Sequence, residues 1–325
     1  MKMTFPISRR PALLGLAASF LTAPAVAQDR RFPDRPIELL VGFAAGGGTD
    51  VTARTFARFL EKEIGGSVVV NNRPGASGEV ALAAAARARP DGHTLAITNM
   101  PGLVTLPIER STPQFQLDDF AYVANLVSDP SAFSVPVDSP IHDFADLLAR
   151  AKAAPDTITF ASTGVGTDEH LALVLVQAAA GVKLTHVPFA GAGPMRVALQ
   201  AKQVEVGGLN VGEVTASQNG VRMIAQGGAR RSPFAQDVTT FKEAGLDVIM
   251  GSERGIVVTK DTPAAVVARL REATGKVCQD PAFIEQCRVQ FTEMDYLDGP
   301  AWRTRLAEAD RQFRDLWQRQ RWSEA

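Results

Sequence analysis

Two hydrophobic periods take turns along this chain. Ile37–Phe43 is a continuous apolar run of the kind buried on both faces of a parallel sheet. Thr49–Ile64 then sets Val51, Phe56, Phe59 and Leu60 on one side at helical spacing. Next come a strand over Ser67–Asn71, the turn Arg73-Pro74-Gly75 and an alanine-rich helix over Val80–Ala88, stopped at Pro90-Asp91-Gly92. Strand Thr94–Asn99 follows, with Asn99-Met100-Pro101-Gly102 as a loop. Apolar strands joined by single helices predict a parallel sheet with right-handed crossovers.

Phe120–Val137 breaks the rhythm. Two extended segments, split by Ser128-Asp129-Pro130 with no helix between them, mark the crossing into a second domain. That domain resumes the alternation, with helix Phe144–Ala153, strand Ile158–Ala161, helix Thr167–Ala179, strand Leu184–Phe189 and helix Gly191–Ala201. Strand Val204–Leu209, a short helix from Glu213 and strand Val221–Ala225 complete it. Helix Thr240–Ala244 and extended Asp247–Val258 lead back, and helices Ala264–Val277, Pro281–Val289 and Pro300–Arg319 close the chain. The pattern predicts two doubly wound lobes, residues 28–126 with 246–325 and residues 127–245, joined by a hinge.

Composition adds limits. With 325 residues, 46% hydrophobic and 21% charged, this is ordinary globular material for two domains. Three basic residues and no acids fall in residues 1–27, leaving 31 basic against 35 acidic residues elsewhere. The richest basic cluster, Arg303 to Arg321, is interleaved with acids as on a solvated helix, so nucleic-acid binding has no support.

Residues 1–27 read as an export signal. Lys2, Arg9 and Arg10 precede an apolar core from Ala12 to Ala23, too short to span a bilayer, and Ala25-Val26-Ala27 is an A-x-A cleavage site. Ser8–Leu14 loosely matches a twin-arginine signal but lacks the usual Phe and Lys, which leaves the export route open. The mature chain is expected in the periplasm, soluble and monomeric. In that oxidising compartment Cys278 and Cys287 are expected to form a disulfide stapling two C-terminal helices; the alternative is two small buried apolar residues.

Candidate chemistry gathers at the ends of strands. Leu39–Asp50 runs from strand through Gly46, Gly47 and Gly48 into a helix. Glycine lets a ligand approach the backbone closely, and the helix start offers unpaired N–H groups with about half a positive charge. That is an anion seat. Ser162-Thr163-Gly164-Val165-Gly166-Thr167-Asp168 repeats it in the second domain, and Pro188–Gly193 opens the next helix the same way. Each charge-assisted bond to a carboxylate contributes about 1.5–3 kcal/mol, so three or four, before ordering costs, reach the roughly −8 kcal/mol of micromolar binding. Asp50 and Asp168 are read as stabilising helix starts, because an acid facing a bound anion would repel it.

Nucleotide and catalytic readings fail. The first loop has no P-loop lysine, neither loop fits G-x-G-x-x-G with its acidic partner, and G-x-S-x-G, H-E-x-x-H and C-x-x-C are missing. The histidines His93, His142, His170 and His186 are scattered. His170 follows Asp168 and Glu169, but consecutive residues do not share a helix face. No metal, cofactor or catalytic residue is expected; His170 either lines the pocket or caps its loop.

Phe43–Asp50 (FAAGGGTD), Asn72–Ala76 (NRPGA), Pro90-Asp91-Gly92, Ser162–Thr167 with His170, His186–Gly191 (HVPFAG), and Arg254-Gly255 before Thr262-Pro263 occur in order. From about Phe32 onward the chain resembles the tripartite tricarboxylate transporter substrate-binding (Bug, or TctC-like) family. The resemblance implies a type II periplasmic binding fold, two lobes on a two-strand hinge, closing over a small carboxylic acid passed to a membrane permease. It implies that Phe43, Ala44, Gly47 and Thr49, with Thr163, Gly166 and Thr167, hold the shared carboxylate, partly through ordered waters. Asn99, Phe189, Asn210 and Arg254 then face the variable part, with His170 beside them.

Departures from the family bear on the ligand. Gly42 stands where members commonly have Pro, and Phe189 where they have Tyr. Gly208–Glu213 is closer to the tricarboxylate-type branch, which favours a di- or tricarboxylate with Arg254 on a second carboxylate. An aromatic monoacid or an amide stays open. So do two other roles: a ligand-presenting subunit of a signalling system, and an exported carboxylic-acid hydrolase or isomerase.

Overall fold

In the first element, β1 (Ile37–Val41), every residue but Glu38 is buried, as expected of a strand with neighbours on both edges. The computed structural model describes residues 1–4, 32–217 and 220–322; the core and cleavage site of the leader expected in 1–27 lie outside the described residues. Phe32–Ala325 form one compact unit.

From β1 the chain passes into α1 (Gly48–Ile64), whose Ala53, Phe56, Ala57, Leu60 and Ile64 are buried at helical spacing. Each such large side chain contributes about 1.5–3 kcal/mol when fully buried. Gly65 ends the helix with φ 76°, its N–H returned to Glu61 O. Strand β2 (Val68–Asn72), helix α2 (Glu79–Ala86) and strand β3 (Thr94–Met100) follow; β2 and β3 flank β1 in parallel. Next come α3 (Gly102–Glu109) and β4 (Phe120–Pro136). The second half holds α4 (Phe144–Ala153), β5 (Thr159–Ser162), α5 (Asp168–Ala180), β6 (Thr185–Pro188), α6 (Ala192–Gln200), β7 (Val206–Asn210), α7 (Val211–Ser217) and β8 (Val221–Gln226). Strand β9 (Gly251–Thr259), α8 (Ala264–Gln279), α9 (Pro281–Val289), β10 (Glu293–Asp298) and α10 (Gly299–Arg319) complete the order.

The strands lie in the order β2-β1-β3-β9-β4-β7-β5-β6, with β8 and β10 also on β4. The pivot is β4. Its first stretch pairs antiparallel with β9 from Phe120 to Pro130, and its last, from Ser131, with β7 and β8. At the change of partner Ser131 N–H donates to Met250 O (3.0 Å), Gly227 N–H to Ser131 O (2.6 Å) and Met250 N–H to Gly227 O (2.9 Å). Apolar clusters cover both faces on each side: Phe56, Leu60, Leu270 and Phe283 opposite Leu103, Leu106 and Trp302 in the first half, and Phe144, Phe160 and Leu171 opposite Met195 and Leu199 in the second.

Several expectations need correction. The two extended segments over Phe120–Val137 are one continuous strand; Pro130, which lacks an N–H, sits where the partners change. The loop expected at Asn99–Gly102 shrinks, since β3 runs to Met100, and residues 102–109, for which no element was expected, form α3, because Leu103, Val104 and Leu106 bury against α10 and α2 despite Pro107. Thr240–Ala244 is a turn ending at Gly245 (φ 88°), not a helix. Strand β10 was not expected; among the described residues it pairs with β4 alone. Cys278 and Cys287 are free thiols, so the expected disulfide is absent. They pack as small apolar groups in the cluster beneath α8 and α9, and burial pushes both up to about 12. Among the described residues no helix is long and apolar enough to cross a membrane.

Candidate functional site

Three strand-to-helix loops meet over the sheet. The first, residues 42–47, is held from behind by Asp50. Its carboxylate accepts Gly46 N–H (3.0 Å), Asn72 Nδ2 (2.9 Å) and Arg54 Nε (3.1 Å). Burial alone would raise Asp50, but these bonds outweigh it and keep the carboxyl below its ordinary range. Gly42 packs so closely on the neighbouring turn that a Cβ there would stand 2.7 Å from Gly78 Cα. Thr49 Oγ1 donates to Asn99 Oδ1 (2.8 Å), and Asn99 Nδ2 to Ser252 Oγ (2.8 Å), which ties the start of α1 to β3 and β9.

The second loop, residues 163–167, is braced from within. Thr167 Oγ1 donates to Gly164 O (2.7 Å), Gly166 N–H to His170 Nδ1 (3.2 Å), and Ser162 Oγ lies 2.6 Å from His186 Nε2. The His170 and His186 rings stack at 4.2 Å. Burial, then the neighbouring His186, lowers His170 to about 3, so it is neutral and free to accept that amide. His170 caps its loop. Thr105 Oγ1, from the first half, donates to Gly166 O (2.7 Å).

The third loop, residues 188–193, touches the first. Ala44 N–H donates to Ala190 O (3.1 Å), and Gly191 (φ 154°) leaves only 3.0 Å between a would-be Cβ and Ala44 N. Phe189 N–H donates to Ser162 O (2.8 Å), which fixes the third loop to the second.

Beneath the loops lies a buried polar floor. Arg254, 1% exposed, donates through Nη2 to Asn210 Oδ1 (2.9 Å) and pairs through Nη1 with Asp129 Oδ2 (3.3 Å). Asn210 Nδ2 and Ser131 Oγ both donate to Asp168 Oδ2 at 2.8 Å, and Gly212 N–H donates to Asp129 Oδ1 (3.0 Å). Asp168 thus faces the pivot strand rather than capping α5. Burial raises Asp129 to about 7 and Asp168 to about 6 against their hydrogen bonds, and Glu169 well above its ordinary value. The guanidinium of Arg254 is taken by the chain's own acid.

Glu213, expected as the start of a short helix and not as a site residue, reaches across to the start of α1. Its Oε1 accepts Gly48 N–H at 2.5 Å and its Oε2 accepts Asn210 N–H at 3.1 Å. Only the second contact has a local signal, a glutamate three residues after the residue that starts a helix.

Two cavities open among these groups. Phe43, Gly47, Thr49, Asn99, Thr163 and Asn210, all expected in the site, enclose a crevice of about 10 Å³ together with Gly48, Glu169, Ala192 and Glu213. Beside it a cavity of about 290 Å³ is lined by Phe43, Ser77, Thr163, Phe189 and Arg110. Arg110 has no counterpart among the expected site residues; its Nε lies 3.5 Å from Glu79 and its Nη2 3.6 Å from Glu109. Ala44, Gly166, Thr167, His170 and Arg254 border neither cavity and brace the loops or the floor. A larger cavity of about 380 Å³, between residues 227–232 and α10, includes none of the three loops. Among the described residues no group of three His, Cys, Asp or Glu side chains is arranged to hold a metal.

Comparison with known proteins bears on this arrangement. The family described as "Tripartite tricarboxylate transporter family receptor" (TctC) matches residues 52–305. A UPF0065 protein of Cupriavidus necator, from its gbd 5' region, is 33% identical over 307 residues, 93% of this chain and 91% of that one. Among solved structures, the periplasmic binding protein BugD superposes with a TM-score of 0.83 at 28% identity, over 89% of this chain and 98% of its own. MatC from Rhodopseudomonas palustris, with bound malate, also reaches 0.83, at 25% identity over 88% and 99%.

Proposed function

This chain belongs to the tripartite tricarboxylate transporter receptor family, and on that premise we propose that it captures a small organic acid outside the cytoplasm for a tripartite tricarboxylate-type permease. The fold is that of the periplasmic binding proteins, and the family is one of receptors rather than enzymes, so the ligand leaves unaltered. The export signal is removed near Ala27, and the mature chain works as a monomer.

The observation that carries the reading is the meeting of three glycine-bearing loops, from both halves of the sheet, around the cavity of about 290 Å³. Residues 28–126 with 246–325 form one lobe and residues 127–245 the other. They turn on β4 and the crossing into β9, and the ligand biases the hinge by binding the closed form better. Amides of residues 43–49 and 163–167 hold a carboxylate, while Phe189 and Arg110 face the remainder of the ligand. A dicarboxylate or tricarboxylate is favoured; the malate bound to MatC supports that class.

The test is a thermal-shift screen of the mature protein over di- and tricarboxylates, aromatic acids and acidic amino acids. A ligand at a hundred times its dissociation constant adds about 2.7 kcal/mol of stability. No stabilisation by any organic acid, or recovery of a chemically altered ligand, contradicts the proposal.

A further inference from the structure

The start of α1 already holds a carboxylate, and it belongs to the chain. Glu213 Oε1 accepts the Gly48 N–H at 2.5 Å while Oε2 accepts the Asn210 N–H at 3.1 Å. Half of this geometry is local, since Glu213 is the third residue of α7 and reaches back to the amide preceding it. That accounts for Oε2 alone. Oε1 bridges 165 positions of sequence to the first amide of a 17-residue helix in the other half of the sheet. The fit leaves no slack: a Cβ on Gly48 would stand 2.6 Å from Arg254 Nη2 and 2.9 Å from Glu213 Oε1. Glu213 is 8% exposed, and the crevice beside it, about 10 Å³, is at the lower limit for one water. A second carboxylate does not fit beside the first.

We propose that Glu213 determines ligand specificity by occupying the carboxylate seat at α1 as an internal competitor, so that a ligand acid reaches the Gly48 amide only by displacing it. The competition rests on the proposed use of this cleft; occupancy of the seat in the empty protein does not. The Asn210 amide keeps hold of the displaced side chain. A simple monocarboxylate gains only the exchange of one carboxylate for another. An acid with further polar groups also gains contacts in the neighbouring cavity of about 290 Å³. The seat thereby selects against simple monocarboxylates.

Calorimetric titration of the mature protein with malate and with butyrate tests this, using the wild type, Glu213→Ala and the conservative Glu213→Gln. Malate is expected to bind Glu213→Ala at least tenfold more tightly than the wild type, butyrate to become measurable, and Glu213→Gln to fall between. Unchanged or weaker malate binding in both variants overturns the proposal. If neither acid binds wild type or variants, the competition fails, while the proposed function stands or falls by the wider thermal-shift screen. Exchange of the Gly48 amide, read by NMR in the unliganded proteins, then separates the two readings. Exchange at least tenfold faster in Glu213→Ala keeps the resident carboxylate, and an unchanged rate overturns it whichever acids bind.

Discussion

Gly48 and Glu213 stand 165 positions apart in sequence and 2.5 Å apart in space, amide nitrogen to carboxylate oxygen. One opens the first helix of the first half, and the other lies on the short helix after β7 in the second. Two backbone donors, Gly48 N–H from the first half and Asn210 N–H from the second, converge there on one carboxylate. The contact explains why position 48 has no side chain. Gly48→Ala is expected to push the Arg254 guanidinium and the Glu213 carboxylate apart and so lower the melting temperature. Differential scanning calorimetry checks this; an unshifted melt contradicts the packing.

The buried pair Arg254–Asp129 locks the floor. Replacing Arg254 with Leu removes the cation that holds the Asp129 carboxyl down against its burial, so Asp129 takes up a proton, and the hydrogen bond to Asn210 Oδ1 is lost, at a cost of about 1–3 kcal/mol. Above about pH 8, where Asp129 would have to ionise without its cation, the double variant Arg254→Leu with Asp129→Asn is expected to be more stable than the single one. Urea denaturation of the three proteins above that pH reads it. A double variant no more stable than the single one contradicts the role given to the pair.

His170 supplies a pH dependence of definite sign. Its folded value is lowered to about 3 from an ordinary 6.5, so its stabilising share is complete above about pH 6.5 and is lost as the pH falls towards 3. The lowering corresponds to a ceiling of about 5 kcal/mol. Asp129 and Asp168 act in the opposite sense: raised from 3.8 to about 7 and about 6, they contribute fully below pH 4 and lose that share as the pH rises through those values. In His170→Asn, whose amide oxygen replaces the acceptor for Gly166 N–H, stability should fall less between pH 6.5 and 4 than in the wild type. Parallel curves would contradict the assignment.

Gly164 sits at φ 131°, with Ser77 of the opposite half packed where a Cβ would go. Gly164→Ala is expected to hold the halves apart and weaken acid binding at least tenfold. Ser77→Gly in the same background should restore part of it, since Ser77 itself has φ 58° and glycine adopts that backbone freely. Calorimetric titration of the single and double variants decides; no recovery in the double variant contradicts a contact between the two positions.

The two thiols make the simplest test. Buried and pushed up to about 12, Cys278 and Cys287 should not react with a thiol reagent in the native protein and should give two equivalents after unfolding without reductant. No thiol after unfolding would mean that the pair is bridged.

Much of this architecture is legible in the sequence, because parallel strands and their helices carry their patterns locally. Ile37–Val41 into Gly48–Ile64 is one such unit, and Pro281–Val289 begins and ends where its proline, its aspartate cap and its apolar positions predict. What escaped depends on distant partners. Strand β10 reads Glu-Met-Asp-Tyr-Leu-Asp, too polar to announce an edge strand that pairs, among the described residues, with β4 alone. Pro130 looks like a break because nothing local shows that β4 changes partners there. In the site, the glycine loops stand out through their place at strand ends, whereas Asn99 and Asn210 are expected there only through the family resemblance. Arg254 reads equally well as a ligand contact until folding sets Asp129 beside it. Arg110 and Glu213 matter only because folding brings remote loops together, and no spacing in the sequence records that.

The central claim is that amides of the opposed loops grip an organic acid. A nitrogen-15 NMR titration of the mature protein with malate tests it most directly. Saturable shifts of the amides of residues 43–49 and 163–167 are predicted, all fitting one dissociation constant. Shifts confined to residues 227–232 and α10, around the larger cavity, with the loop amides unmoved, would contradict it.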